Sequence, residues 1–361
     1  TGGFDWTDST NWFQQNVDIC DWNGVDCYPE DYLDARRAGH VREIHLPNNH
    51  LVGTVPTNVF AIPYLQSLDI SGNADVDVDL SGLKEAQFLE HLNLGETGVT
   101  NVDNIGDATN LHTLHLTNLG LSGPLPSGLF GMTDLAVLFA NFNKFSGSLP
   151  AGIGRITGLD ELYLYGNDFT GQIPTEIAQL SLLRTLVLSQ NAFGGTLPTE
   201  LETMTDLQIL SIAREDENPK GPGISGTVPK LQNHAVLTQL NLENQQLSGN
   251  IDPSFLLNAP NGEKVTVDLT NNQLIGTVPG SLASKAYVNL FLADNQFTAV
   301  ASQVYDVSSN TCSSISSWMD GDVGALGCDA FLCPPGFWAP AGRTTTSDSC
   351  ATCTDDNEIW G

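Results

Sequence analysis

The sequence predicts an α/β solenoid, a superhelix in which one short unit repeats about twelve times. Three observations predict it. A leucine pattern recurs at a step of 24 residues, Asn and Gly-x-(Leu/Ile/Val)-Pro recur at fixed offsets within it, and all seven cysteines lie near the two ends.

The repeat is clearest in the middle of the chain. Leu135-x-x-Leu138-x-Ala140-x-x-Asn143-x-Phe145-x-Gly147-x-Leu149-Pro150 becomes Leu159-x-x-Leu162-x-Leu164-x-x-Asn167-x-Phe169-x-Gly171-x-Ile173-Pro174. It returns once more from Leu183 to Pro198. Repeat starts fall at Val41, Leu65, Leu89, Leu111, Leu135, Leu159, Leu183, Leu207, Leu237, Lys264, Tyr287 and Ser302. A period of this length marks stacked units that bury a common core.

Each position has a physical task. The first, fourth and sixth places are apolar and point inward. Alternation around the fourth to sixth places predicts a short strand, and successive strands pair into one parallel sheet lining a concave face. The ninth-place Asn sits where the chain turns away. Its amide can bond backbone groups that would otherwise be buried unpaired. The column reads Asn49, Asn73, Asn143, Asn167, Asn191, Asn272, Asn295 and Asn310, interrupted by Thr97, Leu119 and Gln245.

The Gly-x-(Leu/Ile/Val)-Pro element runs from Gly53–Pro56 to Gly276–Pro279. With it the chain resembles the plant class of leucine-rich repeats, found in receptor-kinase ectodomains, receptor-like proteins and polygalacturonase-inhibiting proteins. The resemblance implies a right-handed superhelix, a second short sheet, and helical turns on the convex side. Cys20-x-Trp22-x-Gly24-Val25-x-Cys27, preceded by Trp6 and Asn11-Trp12, looks like the N-terminal cap of that family and implies a Cys20–Cys27 disulfide. The same resemblance implies that the chain begins inside its cap. The segment Cys333-Pro334-Pro335-Gly336-Phe337-Trp338 with Cys350-x-x-Cys353 is similar to growth-factor-receptor-like cysteine modules. Pairs Cys312–Cys328 and Cys333–Cys350 are expected, leaving Cys353 over. The expected organisation is an N-terminal cysteine cap (1–40), repeats (41–312), a C-terminal cap (313–332) and a partial cysteine-rich module (333–361).

Composition narrows the function. Forty-two acidic residues against 13 basic ones give a net charge of -29. Such a field repels nucleic acid and anionic membrane surfaces and favours cationic partners. Cysteines grouped as closed caps suit an oxidising compartment, so an extracellular or cell-surface location is expected. No apolar run reaches the roughly 18 residues of a membrane span. Asn-x-Ser/Thr sites are absent.

A ligand is expected on the outward residues of the concave strands. One outward column reads His45, Asp69, Asn93, His115, Phe139, Tyr163, Val187, Ser211, Asn241, Asp268, Phe291 and Asp306. Its apolar middle, with Val137, Phe142, Tyr165 and Ile209 beside it, is the candidate ligand-binding patch. Clustered aromatics suit a protein hot spot, and aromatic faces also stack on sugar rings. An insertion at Ala213–Gly223 breaks the period and is expected to form a surface loop, possible in either of two roles: a ligand contact or plain surface.

No catalytic set emerges: Gly-x-Ser-x-Gly, a phosphate loop and His-Glu-x-x-His are all missing, so no enzyme is expected. His91, His112 and His115, with Glu90 and Glu96, offer a zinc set, but scattered surface histidines are the commoner arrangement and no metal site is expected. Asp75-x-Asp77-x-Asp79 opens like a calcium loop but lacks its Gly and Glu, leaving weak calcium binding as the one cofactor expectation. The leading expectation is therefore a recognition or adhesion module binding a protein or glycan. The alternatives are a structural subunit forming a homo-oligomer, and an inhibitor of a secreted polysaccharide-degrading enzyme. No regular exposed Thr column points to ice binding.

Overall fold

The computed structural model describes residues 6–12, 14–214, 219–260, 264–279, 282, 288–300, 337–338 and 351–352. The chain divides into two compact units, Thr1–Asp168 and Phe169–Gly361. Each described unit is a solenoid of the predicted kind.

In the first unit, strands Val41–His45, Ser67–Asp69, His91–Asn93, Thr113–His115, Val137–Phe139 and Glu161–Tyr163 pair in parallel, each with the next. The register is one repeat per strand, with Leu68 beside Leu92, Leu92 beside Leu114, and Leu114 beside Leu138. Every strand thus sits where its repeat start placed it. The fourth- and sixth-place leucines stack behind this sheet, and Leu92, Leu94, Leu114, Leu116, Leu138, Leu162 and Leu164 are fully buried. Burying each such side chain contributes about 1.5–3 kcal/mol. The second unit repeats the plan with Thr185–Val187, Ile209–Ser211, Gln239–Asn241, Val265–Asp268 and Val288–Phe291. The strands Val265–Asp268 and Val288–Phe291 thus fall where repeat starts at Lys264 and Tyr287 place them, despite the lost leucines, Tyr287 itself lying outside the described residues. The expected twelfth repeat, from Ser302, lies outside the described residues.

A second, shorter sheet forms from the Gly-x-Leu-Pro side. In the first unit Val52–Val55 pairs with Asp75–Val78, and Ser122–Gly123 with Lys144–Ser148. In the second, Ala192–Thr196, Gly223–Gly226, Gln246–Gly249, Gln273–Val278 and Gln296–Val300 follow one another. The motif glycine explains itself here: Gly53, Gly147, Gly195 and Gly276 all have φ between 74° and 99°, a region only glycine enters freely. The motif proline, at φ near -65°, then leads into a one-turn 3-10 helix such as Ala151–Arg155 or Thr175–Gln179. The implied helical turns are all of this tight type among the described residues.

The described part of the asparagine column acts as expected, Asn310 lying outside the described residues. Asn73 Oδ1 accepts from the backbone N–H groups of Asn49 and Leu51, while its Nδ2 donates to the Leu46 and Ile70 carbonyls. Asn143 and Asn272 repeat the arrangement. Gln245 is no true interruption: its amide accepts from Ile224 N–H at 2.8 Å and donates to the Ile212 carbonyl at 2.7 Å. Thr97 keeps only one such bond, to the Leu94 carbonyl.

The N-terminal cap closes the exposed edge of the first sheet. Strand Val25–Cys27 pairs antiparallel with Val41–His45, and Cys20–Cys27 is a disulfide, as the resemblance implied. Trp12 packs between Trp6 and Trp22 at 4.9 and 4.7 Å. Arg37 lies over the rings of Tyr28, Tyr64 and Phe88 at 5.8, 5.5 and 5.1 Å, pinning the cap to the first repeats. Near the other end, Phe337–Trp338 pairs antiparallel with Ala351–Thr352. Cys312, Cys328, Cys333, Cys350 and Cys353 lie outside the described residues.

Candidate functional site

On the main strands the third, fifth and seventh places alternate with the fourth and sixth, which are buried except for the half-buried Ile44; Thr185, Ser189 and Ser211 are covered as well. Parallel pairing sets each outward residue beside its counterpart, about 4.8 Å away. Identical places therefore stack into columns, and in the first unit the fifth-place column runs through His115, Phe139 and Tyr163. The rings of His115 and Phe139 stack at 4.4 Å and 27°. Those of Phe139 and Tyr163 stack at 4.4 Å and 8°. Phe139 is therefore stacked between the two neighbouring rings and presents its rim. Burial pushes the His115 imidazole below its ordinary pKa against the pull of Asp69, with His91 adding to the lowering.

Among the described residues the eighth place of the repeat is left-handed in every repeat but the one from Leu207, where Arg214 opens the insertion. It holds Asn48, Gly72, Glu96, Asn118, Phe142 and Gly166 in the first, and Gln190, Asn244, Asn271 and Asp294 in the second, all at φ between 52° and 68°. Asn and Gly tolerate this conformation. A Phe there costs about 1–2 kcal/mol and is an outlier worth explaining. Phe142 is also 53% exposed. Its ring meets Tyr165 edge-to-face at 4.9 Å and 89°. Gly166 in the next repeat leaves room for it, because a Cβ there would sit 3.1 Å from Phe142 Cδ1. Val137 is half-buried on the strand that carries Phe139. The aromatic patch of the first unit is thus Phe139, Phe142, Tyr163 and Tyr165, with His115 at one end of its column.

Val187 and Ile209 belong to the second unit, half-buried on strands Thr185–Val187 and Ile209–Ser211. There Ser189 and Ser211 hydrogen-bond to each other at 2.8 Å. The insertion is anchored by Arg214, whose guanidinium donates to the carbonyls of Asn244 and Gly221. Residues 215–218 of it lie outside the described residues. Among the described residues no group of three His, Cys, Asp or Glu side chains is placed to hold a metal ion. Asp75 and Asp77 point to solvent on one side of their strand, and Asp79 caps the 3-10 helix Leu80–Glu85 by accepting from Ser81 N–H. No helix among them is long and apolar enough to cross a membrane.

The sequence places His115 in the outward column and in a candidate zinc set with His91 and His112, not in the aromatic patch. Its ring stacks on Phe139, and the signal was its place in the same column one repeat earlier.

Comparison with known proteins bears on the scaffold. Residues 40–258 match the family model described as leucine-rich repeat region. A receptor protein kinase-like protein of Arabidopsis thaliana is 36% identical over 63 residues, which are 18% of this chain and 8% of that protein. Receptor-like protein 50 of the same plant is 31% identical over 133 residues, 36% of this chain and 12% of that one. The chain therefore spans only about a tenth of the length of these relatives. Among solved structures, a TDR receptor superposes with a TM-score of 0.62 at 24% identity, covering 73% of this chain and 48% of that one. The Arabidopsis receptor kinase HAESA, solved with the peptide hormone IDA and the co-receptor SERK1, gives 0.53 at 24%, covering 79% and 58%. A plant ice-binding protein gives 0.56 at 22%, covering 80% and 82%. These likenesses concern the fold. The repeat register, the amide column and the family match over more than half of the sequence agree: the chain belongs to the leucine-rich repeat region family.

Proposed function

We propose that this chain is a recognition module of an extracellular or cell-surface protein, and that it captures a protein or peptide ligand on the outer face of its first unit. Phe142 carries the reading. An exposed aromatic is kept in a left-handed position that neighbouring repeats fill with Asn or Gly, at a cost to folding, and beside a second exposed-edge ring. Strain held at a surface aromatic is a pointer to function rather than to stability. Phe142 and Tyr165 form the anchor, and the rims of Phe139 and Tyr163 with Val137 form the apolar floor beside it. The net charge of -29 favours a basic ligand and fast encounter with it. HAESA, with its peptide hormone, supports the class of ligand by analogy of fold alone. The cap disulfide supports an oxidising location.

The test is selection of peptides from a random displayed library on the intact chain. Selected peptides are expected to carry basic and apolar residues and to lose at least roughly tenfold in affinity on Phe142→Asn and on Phe139→Ala, matching the loss of a hot-spot aromatic. Equal affinity for both variants and the parent chain would sink the assignment.

A further inference from the structure

Beside the aromatic patch, the same face of the first unit opens into a polar groove of about 260 Å³ lined by Asn48, Ser71, Gly72, Asn93, Gly95, Glu96, His115 and Thr117. A single residue accounts for much of the opening. Gly95 occupies the seventh place, where the other described repeats carry a side chain, among them Ser71, Thr117, Asn141 and Tyr165. Nothing about the backbone demands glycine there. A Cβ on Gly95 would meet its nearest neighbours, Asn93 Oδ1 and the Thr117 carbonyl, at an ordinary 3.4 Å. Its missing side chain clears space without serving the fold.

The groups around that space are matched to a particular chemistry. Asn93 Oδ1 accepts from Gly95 N–H at 3.1 Å, which leaves the Nδ2 hydrogens of Asn93 to donate outward. Ser71 Oγ is committed to Asp69. Among the described residues no hydrogen bond engages the Asn48 amide, the Glu96 carboxylate, the Thr117 hydroxyl or the His115 ring nitrogens. The free set therefore mixes donors with acceptors within one small space: an amide, a donor pair, a carboxylate, a hydroxyl and an imidazole. Burial favours neutral His115, which gives one donor and one acceptor.

Two ligand classes fit badly. An anion meets Glu96 and the acidic field of the whole chain. A cation offers donors only and leaves Asn93 Nδ2 with nothing to bond. A group that both donates and accepts at each of several neighbouring atoms satisfies the set, and vicinal hydroxyls do this.

We infer that the groove is a binding subsite for a neutral saccharide, held by hydrogen bonds from Asn48, Asn93, Glu96, His115 and Thr117 rather than by stacking. The inference rests on the reading that this face is the recognition surface, and it adds to that surface a second, chemically different pocket.

The experiment uses the intact chain and four neutral tetrasaccharide probes, built of glucose, mannose, xylose and N-acetylglucosamine. Saturation-transfer NMR detects binding and titration calorimetry measures it. At least one probe is expected to bind. Gly95→Tyr, which borrows the residue of the equivalent place at Tyr165, is expected to weaken it roughly tenfold or more, and Asn93→Ala by a similar factor, while Phe142→Asn leaves it unchanged. Asn93→Ala keeps the test decisive if Gly95→Tyr folds poorly. No binding by any probe at millimolar concentration overturns the inference, as does saccharide binding that both groove variants spare. Saccharide binding lost in Phe142→Asn but kept in Gly95→Tyr also overturns it, and leaves the aromatic reading standing. Should Gly95→Tyr instead block only the selected peptides, the groove belongs to the peptide ligand. Peptide binding that ignores Phe142→Asn, with saccharide binding still lost in Gly95→Tyr, removes the aromatic anchor and keeps the groove.

Discussion

Single residues here divide between those that hold the coil and those that strain it. Phe142 belongs to the second kind, so replacing it should separate stability from binding. Phe142→Asn restores a side chain suited to the left-handed place and is expected to raise stability by about 0.5–1 kcal/mol, read as a higher urea midpoint, while ligand affinity falls. Asn73 belongs to the first kind. Asn73→Leu leaves two buried N–H groups and two carbonyls unpaired, and a loss of about 3 kcal/mol is expected. His234 is fully buried, with Nε2 donating to the Leu201 carbonyl at 3.2 Å. Burial holds its pKa below the ordinary 6.5, against the opposing pull of the Leu201 and Leu231 carbonyls and of Glu202. The unfolded chain therefore takes up this proton first. Stability from this group is complete above about pH 6.5 and falls as the pH drops through that value, levelling only below the folded pKa. Unfolding midpoints between pH 7.5 and 5 should show the decline, and His234→Gln should flatten it. Asp252, held low by Ser254 and Lys230, acts in a separate window near and below pH 3.8.

At the scale of elements, strands were legible and their side-chain arrangement was only partly so. Leucine spacing located every described main strand, because inward positions must recur once per turn to share a core. Column membership likewise named Phe139, Tyr163 and Tyr165. What the spacing could not give was orientation: that the rings of one column turn their faces on each other, or that the eighth place is left-handed and so makes Phe142 exceptional. Gly95 carried no visible signal either, since a glycine amid polar residues looks like a turn until its conformation is known. Arg37 stayed hidden for another reason. Its partners Tyr28, Tyr64 and Phe88 come from the cap and two different repeats, and no local pattern links them. The cap itself yields a prediction. Opening the seven-residue separation of Cys20 and Cys27 removes a cross-link worth about 2–3 kcal/mol. Cys20→Ser/Cys27→Ser should therefore increase amide hydrogen exchange in strands Val25–Cys27 and Val41–His45 before it changes exchange near Phe139.

For the molecule as a whole, charge is the dominant property. With 42 acidic and 13 basic residues, the described ion pairs are few and mostly exposed, as at Arg42–Glu43 and Lys230–Asp252. Repulsion among the excess carboxylates opposes compaction, and salt screens it over about 10 Å at 0.1 M. Thermal midpoints are expected to rise between 10 mM and 300 mM NaCl, whereas association with basic peptides should slow over the same range. A midpoint that falls with added salt would mean that attractive pairs outweigh the repulsion.

Gln245 shows how such a coil changes length. Its side chain bridges 33 sequence positions back to Ile212, six more than Asn143 bridges to Leu116. Asn272 spans 30 positions back to Leu242, so turns of three lengths close on their neighbours through the same side-chain amide. The spine is therefore not a fixed-pitch thread but a ruler with adjustable divisions, and the turn from Ile212 to Gln245 marks where foreign sequence can be spliced into this scaffold without disturbing the coils on either side.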